Sequence, residues 1–255
     1  VHAFVIPNGT ITGRMSHKSP NMAQVPNLGS KYGAECRSCW TVPKGYKLVG
    51  IDASGLELRM LAHYMDDKEY TNEILNGDIH TANQRLAGLE SRNQAKTFIY
   101  ALLYGAGDEK LGSVAGGGKR TGEKLRKSFF DNLPSFATLR NKVARTAAKR
   151  SYLKGLDGRK IPIRSEHSAL NTLLQGAGAI IMKQAVVLLN EKIKDLDAHF
   201  VANVHDEWQI EVREDLADTV GKLGVEAIIE AGKVLKLKCP LDGEYKVGDN
   251  WSETH

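Results

Sequence analysis

Cysteine is scarce in this 255-residue chain, which has only Cys36, Cys39 and Cys239. Three thiols cannot build a disulfide framework, and their scarcity favours a reducing compartment. Cys36-Arg-Ser-Cys39 lacks two further ligands at zinc-site spacing, so the cysteines are expected to be plain core residues. No uninterrupted apolar run approaches the ~20 residues of a membrane span, and the first residues have neither a basic n-region nor an apolar h-region of a signal peptide. No membrane partner is therefore expected. Internal repeats and low-complexity linkers are missing too. The chain does not open on Met, which leads to the expectation of a fragment or a processed product. With 42% hydrophobic and 25% charged residues, the composition excludes disordered and collagen-like classes. The length fits one large domain or two small interleaved ones.

Charge is unevenly placed. Between Lys110 and Arg164 there are 15 lysines and arginines against three acids, Glu123, Asp131 and Asp157. That block carries a net +12 and leaves −7 for the rest of a chain whose total is +5. Such asymmetry fits a polyanion on one surface and cation sites on another. A solvated helical face would look the same.

The first forty residues, rich in Pro, Gly and Asn, read as irregular structure with turns. Lys47 to Asp52 reads as a strand ending on an acid. Ser54 with Glu57 forms a capping-box pattern opening a helix through about Met65, and Ser91 with Gln94 repeats it for a helix to about Tyr104. Lys119 to Arg150 is helical by pattern with a break near Pro134. Asp157-Gly158 marks a turn between two short strands. Leu170 to Lys194 is a long apolar helix, and Phe200–Val204 and Trp208–Val212 read as strands joined at His205-Asp206-Glu207. Helices then alternate with short segments to the end. Mixed hairpins and helices favour an α+β class over a doubly wound parallel sheet.

Two acids stand out: Asp52 at a strand end and Asp206 at a hairpin tip, 154 positions later. Magnesium takes one or two carboxylates and completes its shell with substrate phosphates. Both acids also fit as ordinary turn aspartates. Arg92, Lys96, Tyr100 and Tyr104 recur every four residues along one helix face. Two cations and aromatic rings there suit a nucleotide's phosphates and its base or sugar, and an amphipathic helix with a basic solvent face fits as well. Ala115-Gly-Gly-Gly-Lys119-Arg120 is not a phosphate-binding P-loop, because Arg rather than Ser or Thr follows the Lys.

Taken together these segments resemble the family A DNA polymerases, the bacterial polymerase I type. Asp52-Ala-Ser-Gly-Leu-Glu-Leu-Arg59 resembles their motif A. Arg92-Asn-Gln-Ala-Lys96-Thr-Phe-Ile-Tyr100-Ala-Leu-Leu-Tyr-Gly105 resembles motif B, the nucleotide-binding helix of the fingers, and Val204-His-Asp-Glu207 resembles motif C. Thr12-Gly-Arg14, Gly77-Asp-Ile-His80 and Asn171-Thr-Leu-Leu-Gln175 match in the same order. The similarity covers nearly the whole chain and is nearest to the phage replicative branch.

The resemblance implies a right-hand palm, an antiparallel sheet with helices, built from residues 1–65 and 171–255. A helical fingers subdomain, 66–170, is inserted in it. It implies template-directed DNA polymerisation, with deoxynucleoside triphosphates and primer-template DNA as partners. Asp52, Asp206 and the Ala53 carbonyl would hold two magnesium ions, manganese substituting. Arg92, Lys96 and His80 would bind the triphosphate, with Lys96 protonating the pyrophosphate. Tyr100 would lie by the sugar and Glu57 would crowd its 2′ position. Arg14, Gln175, Asn171, His205 and Tyr104 would contact DNA, and Ser54 and Glu207 are auxiliary candidates.

Family members usually carry a thumb and an exonuclease-like domain upstream of this segment. The resemblance therefore leads to the expectation of a second polypeptide supplying them, and of a bacterial host cytoplasm if the chain is phage-encoded. A single-subunit RNA polymerase is the rival enzyme, opposed by Glu57 and the deoxynucleotide-type motif B. A non-catalytic DNA-binding subunit that keeps the fold is the rival of another class.

Overall fold

A computed structural model describes all 255 residues. In chain order it has strands β1 (Phe4–Ile6) and β2 (Ser16–Lys18), helix α1 (Gly33–Ser38) and strand β3 (Tyr46–Ala53). Seven helices follow: α2 (Leu56–Met65), α3 (Lys68–Asn76), α4 (Ile79–Ala87), α5 (Arg92–Leu103), α6 (Asp108–Ser113), α7 (Lys119–Asn132) and α8 (Pro134–Lys149). Then come β4 (Tyr152–Lys154), β5 (Lys160–Pro162), α9 (Ala169–Ile193), β6 (Ala198–Val204), β7 (Glu207–Arg213), α10 (Ala217–Val234) and β8 (Gly243–Gly248).

These elements form two compact units. The first takes Val1–Leu56 and Gly176–His255, and the second Glu57–Gln175. The first unit is built on a four-stranded antiparallel sheet in the order β6-β7-β3-β8. Strand β3 is central, so Asp52 pairs with Glu207 on one side and Glu244 on the other. Alternation along the strand sends Val49 and Ile51, both fully buried, to the face covered by α10. Gly50 and Asp52 point to the opposite face. There the C-terminal segment lies so close that a Cβ on Gly50 would fall 2.2 Å from the Thr254 carbonyl oxygen and 2.7 Å from Gln209 Nε2. Only glycine admits that approach.

The second unit is helical with one small hairpin, β4–β5, joined by the Asp157-Gly158 turn as the pattern predicts. Pro134 starts α8 where its missing N–H costs nothing, and Ser91 with Gln94 closes a complete capping box on α5. Phe98, Phe129 and Phe136 form its aromatic core, with ring centroids 5.8 Å and 5.3 Å apart and edge-to-face geometry.

Several expectations are corrected. The first forty residues are not wholly irregular. Their turn-forming residues fill the loop between β1 and β2 and the approach to α1, while the short strands between them pair. The helix after Asp52 runs from Leu56 to Met65, and Gly55 before it has φ +58, so the helix begins only after it. Beyond α10 the chain adds a strand, β8, rather than more helix. Of the cysteines only Cys239 is buried; Cys36 is half-buried and Cys39 exposed, at the end of the short α1. Finally, Glu166–Ile193 is long and apolar enough to cross a membrane by length and composition, although its residues form no unbroken apolar run. Two thirds of that window (67%) is buried in the fold, as in a core helix.

The Gly50 approach makes a direct prediction. Gly50→Ala is expected to lower stability by about 1–3 kcal/mol, the usual cost of overpacking. Chemical denaturation of both proteins would measure it, and an unchanged midpoint would show that the C-terminal segment does not press on β3.

Candidate active site

In the first unit the sheet carries the acid pair to one end. Asp52 is the penultimate residue of β3, and Asp206 sits in the two-residue turn between β6 and β7. The Ala53 amide donates to the Asp206 carbonyl oxygen at 3.1 Å, so the two acid-bearing backbones touch. The turn is left-handed at His205, with φ 61. A non-glycine residue tolerates that conformation at a cost, usually where surrounding structure over-determines it.

Asp52 is half-buried, and its carboxyl is pushed up to about 7. Burial contributes most, followed by the negative charges of Asp206, Glu207 and Glu244, with His255 opposing them. The site therefore holds more negative charge than its protein surroundings neutralise, which a divalent cation fits. No group of three or more His, Cys, Asp or Glu side chains is arranged to hold a metal by itself. Two carboxylates and the backbone around Ala53 thus suit a hard cation whose shell is completed by a substrate.

Glu207, paired across from Asp52, is engaged differently. It is buried and accepts hydrogen bonds from Trp251 Nε1 and Gln209 Nε2, both at 2.6 Å. His255 Nδ1 lies 2.8 Å away and Arg37 Nη1 4.0 Å. Burial pushes Glu207 upward, but the His255 and Trp251 hydrogen bonds and the His255 charge outweigh it, so the carboxyl lies below its ordinary value. Glu207 thereby fastens the C-terminal segment to the sheet. Arg14, in the loop before β2, lines a small recess with His205, Asn203 and Lys183, so two of the expected DNA contacts meet in this unit. Ser54 anchors the turn after β3, its amide donating to the Asp242 carbonyl oxygen at 3.0 Å.

In the second unit α4 and α5 meet at their N-termini. Asp78 caps α4: its Oδ1 accepts from the His80 amide at 3.1 Å and its Oδ2 from the Thr81 hydroxyl at 2.8 Å. The same Oδ2 takes the Nε–H of Arg92, the first residue of α5, at 2.6 Å. Hydrogen bonds from Arg92 and Thr81 hold the Asp78 carboxyl far below the usual carboxylate range. His80 is pushed down, by burial first and then by Arg92 and Lys96, and is neutral at pH 7. Lys96 is exposed one turn beyond Arg92. The Tyr100 ring lies 6.4 Å from the rings of both His80 and Tyr104. The Tyr104 hydroxyl reaches Glu57 at 3.1 Å. The second unit thus assembles Arg92, Lys96, His80, Tyr100, Tyr104 and Glu57. Asn171 and Gln175 stand one turn apart on α9, half-buried.

Sequence reasoning overlooked Asp78 as a site residue, although an aspartate immediately before a helix is the usual N-cap signal. It also gave no hint of Glu244, which faces Asp52 only because β8 joins the sheet.

The model for the family described as DNA polymerase family A matches residues 1–253. The chain belongs to that family. It is 45% identical over its whole length to the DNA-directed DNA polymerase of Enterobacteria phage T3 and 44% to that of Escherichia phage T7. It spans 41% of each of those relatives. Among solved structures, the polymerase domain of Pol1 from M. smegmatis, in complex with DNA primer-template and dNTP, superposes with a TM-score of 0.90. That match covers 99% of this chain and 48% of the other at 25% identity, so the architecture is the α+β polymerase fold.

Glu207 supplies the prediction of this site. Glu207→Ala strips a buried acceptor from Trp251, Gln209 and His255 and leaves Arg37 without its countercharge. A loss of about 3 kcal/mol is expected, read by denaturant unfolding together with a change in Trp251 fluorescence. Unaltered stability would mean that the C-terminal segment is held by other contacts.

Proposed function

We propose that this chain is the catalytic palm and fingers of a template-directed DNA polymerase, adding deoxynucleotides to a DNA primer. One observation carries the reading: Asp52, near the end of a strand, and Asp206, in a hairpin turn, are 154 positions apart, and their segments touch where charge is left unneutralised. Family membership, and a structural match to a polymerase bound to primer-template and dNTP, support it.

In this reading residues 1–65 and 171–255 form the palm and residues 66–170 the fingers. Asp52 and Asp206, with the Ala53 carbonyl, would hold two magnesium ions, whose chemistry is to acidify the primer hydroxyl and neutralise the triphosphate. The protein's own groups do the rest. Arg92, paired with Asp78 through Nε alone in the structure, keeps its two terminal nitrogens for phosphate oxygens. Neutral His80 donates a hydrogen bond to the triphosphate without adding charge, and Lys96 supplies the proton for departing pyrophosphate. Tyr100 packs against the sugar. Glu57, held by Tyr104, occupies the space a 2′-hydroxyl would need. Arg14 and Gln175 contact minor-groove acceptors, which differ little between base pairs, so such contacts test shape rather than sequence. Asn171 and His205 approach the primer end.

The chain spans well under half of its phage relatives. Those phage relatives support replication inside a bacterial host as its setting.

Primer extension is the test. Asp206→Asn is expected to cut extension by about a thousandfold, the scale of losing a principal electrostatic stabiliser. EDTA should abolish it, and magnesium or manganese should restore it. DNA binding without extension, with or without a co-purifying polypeptide, would replace the reading with that of a non-catalytic DNA-binding subunit. Asp78→Asn should separate helix capping from Arg92 positioning. Asparagine caps as well as aspartate but loses the ion pair. The KM for deoxynucleotide is expected to rise about threefold to tenfold with kcat little changed; wild-type kinetics would reduce Asp78 to a cap.

A further inference from the structure

Part of the basic block belongs to none of the residues assigned above. Helix α8 buries Phe136, Leu139 and Val143 on one face. On the other, Lys142, Arg145 and Lys149 recur at spacings of three and four, and Arg150 follows at its end. With Asn141 and Thr146 they border an open recess of about 540 Å³. The ion pairs of this unit use Arg85, Arg92, Arg126, Lys127 and Arg159. Lys142, Arg145, Lys149 and Arg150 appear in none of these pairs, and no acid borders the recess. Like charges one turn apart oppose helix formation, so this row carries repulsion that none of those pairs relieves.

We propose that this face of α8 binds the sugar-phosphate backbone of a single nucleic-acid strand, in a sequence-independent way. Three features select that partner. The recess contains no apolar residue, whereas the buried centre of a protein interface is apolar and poor in charge. Asn141, exposed beside the cations, adds a neutral hydrogen-bond donor to them, the mixture that contacts phosphate oxygens. The cations also form one row along one helix, which follows one backbone; a duplex presents two strands across a groove about 12 Å wide. The inference rests on the polymerase reading only for the strand's identity, the unpaired template; the anion-binding chemistry stands without it.

The test is the triple variant Lys142→Ala, Arg145→Ala, Lys149→Ala, with Lys142→Arg, Lys149→Arg as the charge-preserving control. Alanine favours helix, and circular dichroism with thermal melting checks that α8 persists. Binding of a fluorescent oligothymidylate is followed by anisotropy over a salt series. Loss of three phosphate contacts should flatten the slope of log K against log salt by about 2. The control should bind like wild type. Extension assays use primed templates with short or long single-stranded overhangs, and a third substrate whose overhang is made duplex. The triple variant should match wild type on the short overhang and lose the advantage of the long one, while the duplex gives neither protein an advantage. Failure of wild type to extend any primer would sink the polymerase reading and leave the anisotropy result to judge this one. Unchanged oligothymidylate affinity and salt slope would overturn the proposal. So would an intact strand-binding curve with oligoglutamate captured by wild type and not by the variant, which would assign the face to an acidic protein partner.

Discussion

The antiparallel pairing of β3 with β7 is the constraint on which the rest of the first unit depends. Asp52 opposes Glu207 and Ile51 opposes Trp208 in that register. A slip of one residue would turn Asp52 into the face that α10 covers and Ile51 out of it. Fully buried Ile51 and Trp208 on one face, and the close approach of Thr254 to Gly50 on the other, hold the register from both sides. The acid pair is therefore positioned by hydrophobic packing some distance from the charges themselves. Because β3 is an interior strand, the end of the sheet is stiffened on both edges, as a site built from carboxylates requires.

Two neighbouring carboxylates on that face show how environment divides labour. Glu207 and Asp52 oppose each other across one pair of strands, yet their ionisation is driven in opposite directions. Trp251, Gln209 and His255 stabilise the charge on Glu207. Burial first, and then the acidic neighbours Asp206, Glu207 and Glu244, hold the Asp52 carboxyl raised. One carboxylate secures the C-terminal segment and the other is left available for a ligand. The contrast is set by what packs around each group, since the side chains are chemically almost alike.

The helical unit applies a similar economy to its cations. Asp78 serves at once as N-cap of α4 and as counterion of Arg92, so one carboxylate fixes the start of the helix bearing His80 and orients the first cation of α5. The capping box of Ser91 and Gln94 settles the other helix at the same junction. Local helix-end chemistry thus arranges the cations. The remaining charge of the basic block is distributed over other elements: Arg126 pairs with Asp108, Lys127 with Asp131 and Arg159 with Asp157, while the row on α8 takes part in none of these pairs.

Much of this was legible in the sequence wherever the cause is local. The strand ending at Asp52, the capping box at Ser91, the break at Pro134, the Asp157-Gly158 turn and the hairpin tip at Asp206 each follow from neighbours a few residues away. The order of six short motifs identified the family. The β1–β2 hairpin and β8 were not legible: three-residue strands in a turn-rich stretch give little alternation to read, and Gly243–Gly248 has a mostly exposed pattern. Nor was the exposure of Cys39, the pairing of Asp78 with Arg92, or the burial of Glu207 beneath Trp251. Spacing of side chains along a strand or helix declares which face a residue occupies but carries no information about which distant segment will cover it. The placement of Glu244 beside Asp52, and the backbone contact that joins Ala53 to Asp206, were decided only when the sheet closed, because long-range pairing selects partners by total packing and not by any local signal.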